Sequence, residues 1–275
     1  MDCIVLVKFF DPHIHMYSRT TDDYEMMARA GIKVIVQPSF WLGSPRTTTG
    51  TFEDYWEHMI TFETERAGGF GIAQFVCISV NPKESTSRPL AFQALEAMSK
   101  YLDRERVVAI GEIGYNLIND AEEELFVRQL EISSKKKMLT MIHLPHMNKA
   151  EGIRRTENVI KTHNFGSRYT DNILVDHNTE ETIEKTLELG FWAGLTVYPH
   201  TKLSPARAIK IIQKQGVDRI MVNSAADWGI SDPLSVPLVA KEMRKKGFSA
   251  EKIEAVTFRN AYDFFRRSPK FTWQP

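Results

Sequence analysis

His13 and His15 stand one residue apart in the stretch Val7-Lys8-Phe9-Phe10-Asp11-Pro12-His13-Ile14-His15, where an apolar run leads into a proline. Such a run reads as a buried strand reaching its end. Strand residues alternate faces, so Asp11, His13 and His15 share one face while Phe10, Pro12 and Ile14 share the other. Two imidazoles on one face can converge on a single cation, and histidine is the commonest protein ligand for transition metals. Taken alone, the pair is read as readily as two buried histidines satisfied by backbone groups. The rest of the chain separates the two readings. Val107–Gly114 carries Glu112 near the end of an apolar run, Leu139–Pro145 carries His143, Ile173–Asn178 carries His177, and Ile220–Asp227 carries Asp227. In each case a potential ligand sits where an apolar strand runs out. Nitrogen and oxygen donors without a thiolate suit a catalytic divalent ion rather than a cysteine-based structural zinc.

Something must bring these strand ends together. Further apolar runs lie at Val34–Pro38, Phe75–Val80 and Trp192–Tyr198, and helical periodicity fills the intervals. Tyr24–Gly31 closes on a helix-stopping glycine. Asn178-Thr179-Glu180-Glu181 has the residue types of a capping box, predicting a helix that runs to Gly190. Ser204-Pro205 is a cap followed by proline at the first helical position, predicting a helix that ends near Gly216. Strands alternating with helices imply parallel strands and right-handed crossovers, an α/β architecture. Eight such units in about 250 residues make a (β/α)8 TIM barrel. A doubly wound sheet is the competing fold, but it would not gather ligands from the first and last strands. In a barrel those two are neighbours, and all the ligands face one mouth.

At 275 residues and 43% hydrophobic, the chain can bury one large core, and no Gly/Ser/Pro-rich linker divides it, so residues 1–275 are expected to form a single domain. The N-terminus lacks the pattern of a secretory leader, and no apolar run approaches the roughly 18 residues of a membrane span. A cytoplasmic protein with no membrane partner is expected. Cys3 and Cys77 both lie in apolar runs and read as small core residues. Formal net charge is zero, from 35 basic and 35 acidic residues, which argues against a broad basic field for coating nucleic acid. The run Lys135-Lys136-Lys137 falls at a predicted helix C-terminus, where cations offset the macrodipole. A small-molecule substrate is therefore favoured over nucleic acid.

The ordered set His13-x-His15, Glu112, His143, His177 and Asp227 resembles the TatD-like metal-dependent hydrolases of the amidohydrolase superfamily. The resemblance spans essentially the whole chain. It includes Gly111-Glu112-Ile113-Gly114 and the C-terminal Asn260-Ala261-Tyr262-Asp263-Phe264-Phe265, which is similar to that family's closing helix. Within the family, Asp11-Pro12-His13-Ile14-His15 together with Asn223-Ser224-Ala225-Ala226-Asp227-Trp228 is most similar to the group called EboB. The resemblance implies two divalent transition metal ions, zinc first, with manganese, iron, nickel or magnesium as alternatives. By position, His13, His15, Glu112 and Asp227 would hold one ion, and Glu112, His143 and His177 the other. A strand-end carboxylate such as Glu112 can bridge ions roughly 3.5–4 Å apart, with a hydroxide between them. Related barrels often bridge with a carbamylated lysine, and Glu112 makes that unnecessary here.

One departure bears on the mechanism. In the family an aspartate follows a Glu-Thr pair on the eighth strand, whereas here Asn223-Ser224-Ala225-Ala226 precedes Asp227, two positions farther along. In the site, Asp227 would be both ligand and general base, taking a proton from bound water and passing it to the leaving group. Its alternative reading is a helix cap. Secondary candidates are Arg46, whose planar fork suits a carboxylate or phosphate, His200 and His146 beyond strand ends, Trp228 and Trp41 as pocket walls, and Asp11 as a residue orienting a ligand. The chemistry expected is hydrolysis at a carbonyl or phosphorus centre of a small ester, amide, lactone or phosphoester. The rival is the deoxyribonuclease or phosphodiesterase activity for which the family is best known. A catalytically silent ligand-binding barrel is a third reading, weakened by the completeness of the ligand set.

Overall fold

The computed structural model describes residues 8–163, 165 and 167–275. Its strands are β1 (Phe9–Asp11), β2 (Ile32–Pro38), β3 (Ala73–Ile78), β4 (Val107–Gly114), β5 (Leu139–His143), β6 (Ile173–Asp176), β7 (Trp192–Thr196) and β8 (Ile220–Asn223). They lie side by side in chain order, every neighbouring pair parallel. Closure is completed just past the strand ends. The Ala225 amide donates to the His13 carbonyl at 2.7 Å and the His15 amide to the Ala226 carbonyl at 2.9 Å. Asp11 reinforces this seam, its Oδ1 accepting from the amides of His13 and Ser224, both at 3.2 Å. Burial pushes the Asp11 carboxyl up to about 7 despite those hydrogen bonds. Asp11 therefore clasps the barrel shut, touching the backbone of the His13 segment rather than an imidazole. The fold is the (β/α)8 TIM barrel that the order of the elements implied.

Two buried clusters lie between the strands and the surrounding helices, and a third fills the barrel toward the strand N-termini. Phe10, Phe75 and Met221 meet the C-terminal segment there, with Phe10 against Phe265 at 5.8 Å and Phe75 against Phe271 at 4.3 Å between ring centroids. The opposite end is left for polar residues. Strand β4 is buried along its whole length, and its Gly111 permits a close approach, since a Cβ there would lie 2.6 Å from the Met141 Cβ. Cys77 is buried in this core, and Cys3 lies outside the described residues. Among the described residues, no helix is long and apolar enough to cross a membrane.

Helices at Thr21–Arg29 and Pro205–Gln215 match their sequence signals: Gly31 and Gly216 follow with positive φ, and the Ser204 hydroxyl accepts from the Arg207 amide at 3.3 Å. Lys136, in the last turn of the helix Asp120–Lys136, pairs with Asp103 at 2.8 Å. The helix predicted to open at Asn178 begins only at Ile183. Asn178 is instead drawn into the core, donating to the Val175 carbonyl at 2.8 Å and accepting from the hydroxyls of Thr182 and Thr186 at 3.0 and 2.7 Å. An asparagine able to bond backbone and hydroxyl groups in a loop competes with the helix start it resembles.

Candidate metal centre

Strand β1 stops at Asp11, and His13 and His15 are held beyond it by the seam to the residues after β8 on one side and by the Ile14 amide donating to the Val36 carbonyl of β2 at 3.1 Å on the other. Their Nε2 atoms lie 3.0 Å apart, with the rings edge to face. Glu112, near the end of β4, faces both: Oε1 is 3.6 Å from His13 Nε2, and Oε2 is 3.8 Å from His15 Nε2. The same Oε1 is 3.1 Å from His177 Nε2. His143, the last residue of β5, packs edge-on against the His177 ring at 4.7 Å. Adjacent residues on a strand face opposite ways. His177 escapes that rule by adopting φ +61°, a left-handed turn immediately after β6, so that both it and Asp176 reach the centre. Three groups of donors result, each with ligand atoms within 4.8 Å of one another: His13, His15 and Glu112; Glu112, His143 and His177; and His13, Asp176 and His177.

The outward ring nitrogens are already committed. His13 Nδ1 bonds Asp176 Oδ2, His143 Nδ1 bonds the Tyr115 carbonyl at 2.8 Å, and His177 Nδ1 bonds the Thr196 hydroxyl at 2.6 Å. With the proton on Nδ1, His143 and His177 turn an Nε2 lone pair inward, and His13 does the same in its neutral form. Metal-binding histidines are oriented by such outer partners. Asp176 is itself fixed, its Oδ1 accepting from the His177 amide at 2.7 Å, Asn223 Nδ2 at 2.9 Å and the Thr196 hydroxyl at 3.1 Å. Only glycine fits opposite it, because a Cβ on Gly194 would lie 2.1 Å from that oxygen. These residues fit a divalent ion: imidazole lone pairs and one carboxylate converge, and the supporting acceptors are in place.

Burial dominates the electrostatics. It pushes His15, His143 and His177 well below the usual histidine range, with nearby cations adding to the effect, so these rings are neutral donors. Burial also works against a charge on His13, but Glu112 and Asp176 outweigh it and raise that imidazole. Asp176 is held at about 2, because the His13 charge and the hydrogen bonds to it overcome its own burial. Glu112 is raised by burial, partly countered by His13 and Lys202.

A cavity of about 270 Å³ opens beside this cluster, lined by His15, Glu112, His143 and His177 and, across from them, by Lys83, Tyr198, Lys202 and Asp227. Ala225 and Ala226, spent on the closing seam, account for the later position of Asp227. Its Oδ1 accepts from the Tyr198 hydroxyl at 2.9 Å and the Gly229 amide at 2.7 Å. Asp227 thus faces the cavity from its wall, outside the three donor groups. Arg46 does not reach the cavity. Its guanidinium is taken by Glu84 at 2.5 Å and lies over the rings of Phe52 and Tyr55 at 4.3 and 4.8 Å. His200 is exposed on the loop after β7, away from the lining, whereas His146 is part of it. Trp228 packs on Phe40 and Trp41 at 5.1 and 5.7 Å, and Phe40 in turn stacks on His15 at 4.0 Å, so Trp228 supports the wall from behind. Sequence reasoning missed Asp176, Lys83, Tyr198 and Lys202. An acid directly preceding a strand-end histidine was the available signal for Asp176; the two lysines lie in loops with no motif.

Comparison with known proteins places this geometry in context. The family model described as TatD related DNase matches residues 10–266. An uncharacterized metal-dependent hydrolase of Methanocaldococcus jannaschii is 28% identical over 262 residues, covering 93% of this chain and 99% of its own length. The structure of a TatD-like protein from Archaeoglobus fulgidus superposes with a TM-score of 0.77 at 25% identity, covering 94% of this chain and 100% of the other. The phosphotriesterase homology protein of Escherichia coli shares the fold at a TM-score of 0.67 and 13% identity, covering 94% of this chain and 99% of its own.

Proposed function

This chain belongs to the TatD-related DNase family and is a metal-dependent hydrolase, and we propose that it holds two divalent ions and hydrolyses a small ester, amide, lactone or phosphoester as a single barrel domain. The observation that carries this reading is the convergence of four histidines on Glu112, three of them with outer nitrogens already committed. His13 and His15 would hold one ion and His143 and His177 the other, with Glu112 shared between them. Zinc is the first choice, iron and nickel also suit an imidazole-rich set, and manganese and magnesium, which favour oxygen donors, suit it less well. When bound, the ions supply Lewis acidity and make a coordinated water acidic near neutral pH.

The chain's own groups do the rest. Asp227 is the proton acceptor, oriented toward the cavity by the Tyr198 hydroxyl and the Gly229 amide, and it returns the proton to the leaving group. To serve also as a ligand it exchanges one of those contacts for an ion. The 270 Å³ cavity supports a small substrate. The family description supports a second reading, in which the end of a DNA strand enters the same cavity.

Metal analysis of the purified protein is expected to return about two equivalents, as a binuclear site requires. One equivalent or fewer after careful reconstitution would reduce the centre to a mononuclear one. Turnover should then be measured on chromogenic phosphoesters, carboxylic esters and lactones, with single-stranded DNA alongside. Asp176→Asn keeps the shape of the acceptor but weakens its hold on His13. Metal affinity is expected to fall roughly 10–100-fold, the usual effect of losing an outer-shell partner. Competition with a chelating dye reads it, and unchanged affinity would mean that Asp176 does not orient the ligand.

A further inference from the structure

Two ammonium groups enter the cavity without a carboxylate in direct contact, and Glu112 and Asp227 act on both only across space. Lys83 comes from the loop after β3 and Lys202 from the loop after β7, so they enter from different parts of the barrel rim. Among the described residues, neither Nζ has a hydrogen bond or an ion pair. Their contacts are aromatic faces: Lys83 Nζ lies 4.6 Å from the Trp41 ring and Lys202 Nζ 5.2 Å from the Tyr198 ring. An unpaired cation beside a metal centre is a costly arrangement unless an anion joins it.

Both backbones are held in place. The Lys83 amide donates to Asn81 Oδ1 at 3.1 Å, and the following Glu84 is gripped by Arg46. The Lys202 amide donates to the Tyr198 carbonyl at 2.8 Å, while its own carbonyl accepts from Arg207, which is anchored to Glu180 at 2.6 Å. Two divalent ions would already exceed the charge of Glu112, Asp176 and Asp227, and the two lysines enlarge that surplus.

We propose that the substrate is a small phosphomonoester, whose phosphoryl oxygens are gripped by Lys83 and Lys202 while its phosphorus faces the Glu112–histidine cluster. The inference rests on the metal-centre reading for the reaction but not for the grip. Cations arriving from two sides match a tetrahedral dianion with several charged oxygens better than a planar carboxylate or a neutral ester. The reaction is then ordinary hydrolysis. Water oxygen forms a bond to phosphorus, and the ester P–O bond breaks with its electron pair passing to the alcohol oxygen. That oxygen receives a proton, giving the free alcohol and inorganic phosphate.

Inorganic phosphate is the probe, titrated calorimetrically into the full-length protein with and without metal, in parallel with acetate. Phosphate is expected to bind well ahead of acetate. Lys83→Met and Lys202→Met should each weaken it roughly 10–100-fold, the range for a lost charged hydrogen bond, with metal content and melting temperature unchanged. Lys202→Arg should restore most of the loss. Acetate binding as tightly as phosphate, or lysine variants that bind phosphate like the parent, would overturn the proposal. Metal stoichiometry tests the binuclear reading separately, so a protein that takes up no metal yet binds phosphate through its lysines sinks that reading alone. Short single-stranded DNA hydrolysed in preference to small phosphomonoesters would also overturn the proposal, in favour of a strand end as occupant.

Discussion

His143→Ala and His177→Ala are each expected to lose bound metal and hydrolytic activity together, down to the level of the chelator-treated protein. Each ring supplies one inward Nε2 to the group it forms with Glu112, and no other described side chain in that group can replace it. The cost to the fold is small by comparison. Removing the His143 ring leaves the Tyr115 carbonyl without that partner, whereas removing His177 takes one of two partners from the Thr196 hydroxyl, which still donates to Asp176. An unmet buried group costs about 1–3 kcal/mol, within the roughly 5–15 kcal/mol by which domains are stable. Circular dichroism and melting should therefore remain native-like while elemental analysis shows the missing ion. A His177→Ala protein with full metal and full turnover would remove these histidines from the centre.

Much of this was legible because barrel strands announce themselves. Buried parallel strands are continuous apolar runs, and Val107–Gly114 and Ile220–Asn223 read directly as such. A polar side chain at the end of such a run has few places to go except the mouth, which is why His143 and Glu112 could be found without coordinates. Alternation of faces was less dependable. It grouped Asp11 with His13 and His15, yet the strand ends at Asp11, and that carboxylate serves the β1–β8 seam. At the end of β6 it would separate the neighbours Asp176 and His177, but a positive φ at His177 brings both to the centre. Local backbone conformation of this kind is decided by tertiary contacts, such as those that Asp176 makes with Asn223 and Thr196 across two neighbouring strands. Loop cations were out of reach for the same reason. Nothing in the spacing of Lys83 and Lys202 shows that the β3 and β7 loops bring them to one cavity.

The position of Asp227 gives the most direct test of the chemistry. Asp227→Asn preserves size and both supporting contacts, because the amide oxygen can still accept from the Tyr198 hydroxyl and the Gly229 amide. What it removes is the capacity to take a proton. General acid–base assistance is worth roughly 10²–10⁴-fold, so turnover should fall by about that factor on whichever substrate is active. Metal content should stay near that of the parent, since Asp227 stands outside the three donor groups. This separates it from the histidine variants, in which metal and activity are lost together. Tyr198→Phe should produce a smaller loss of turnover, because it frees the carboxylate without neutralising it. If Asp227→Asn instead loses an equivalent of metal, Asp227 joins the ligands once an ion is bound, and Tyr198 is the group it leaves. Full activity in Asp227→Asn would mean that the two alanines of the closing seam have carried this carboxylate out of the reaction, leaving the proton to another cavity group such as His146.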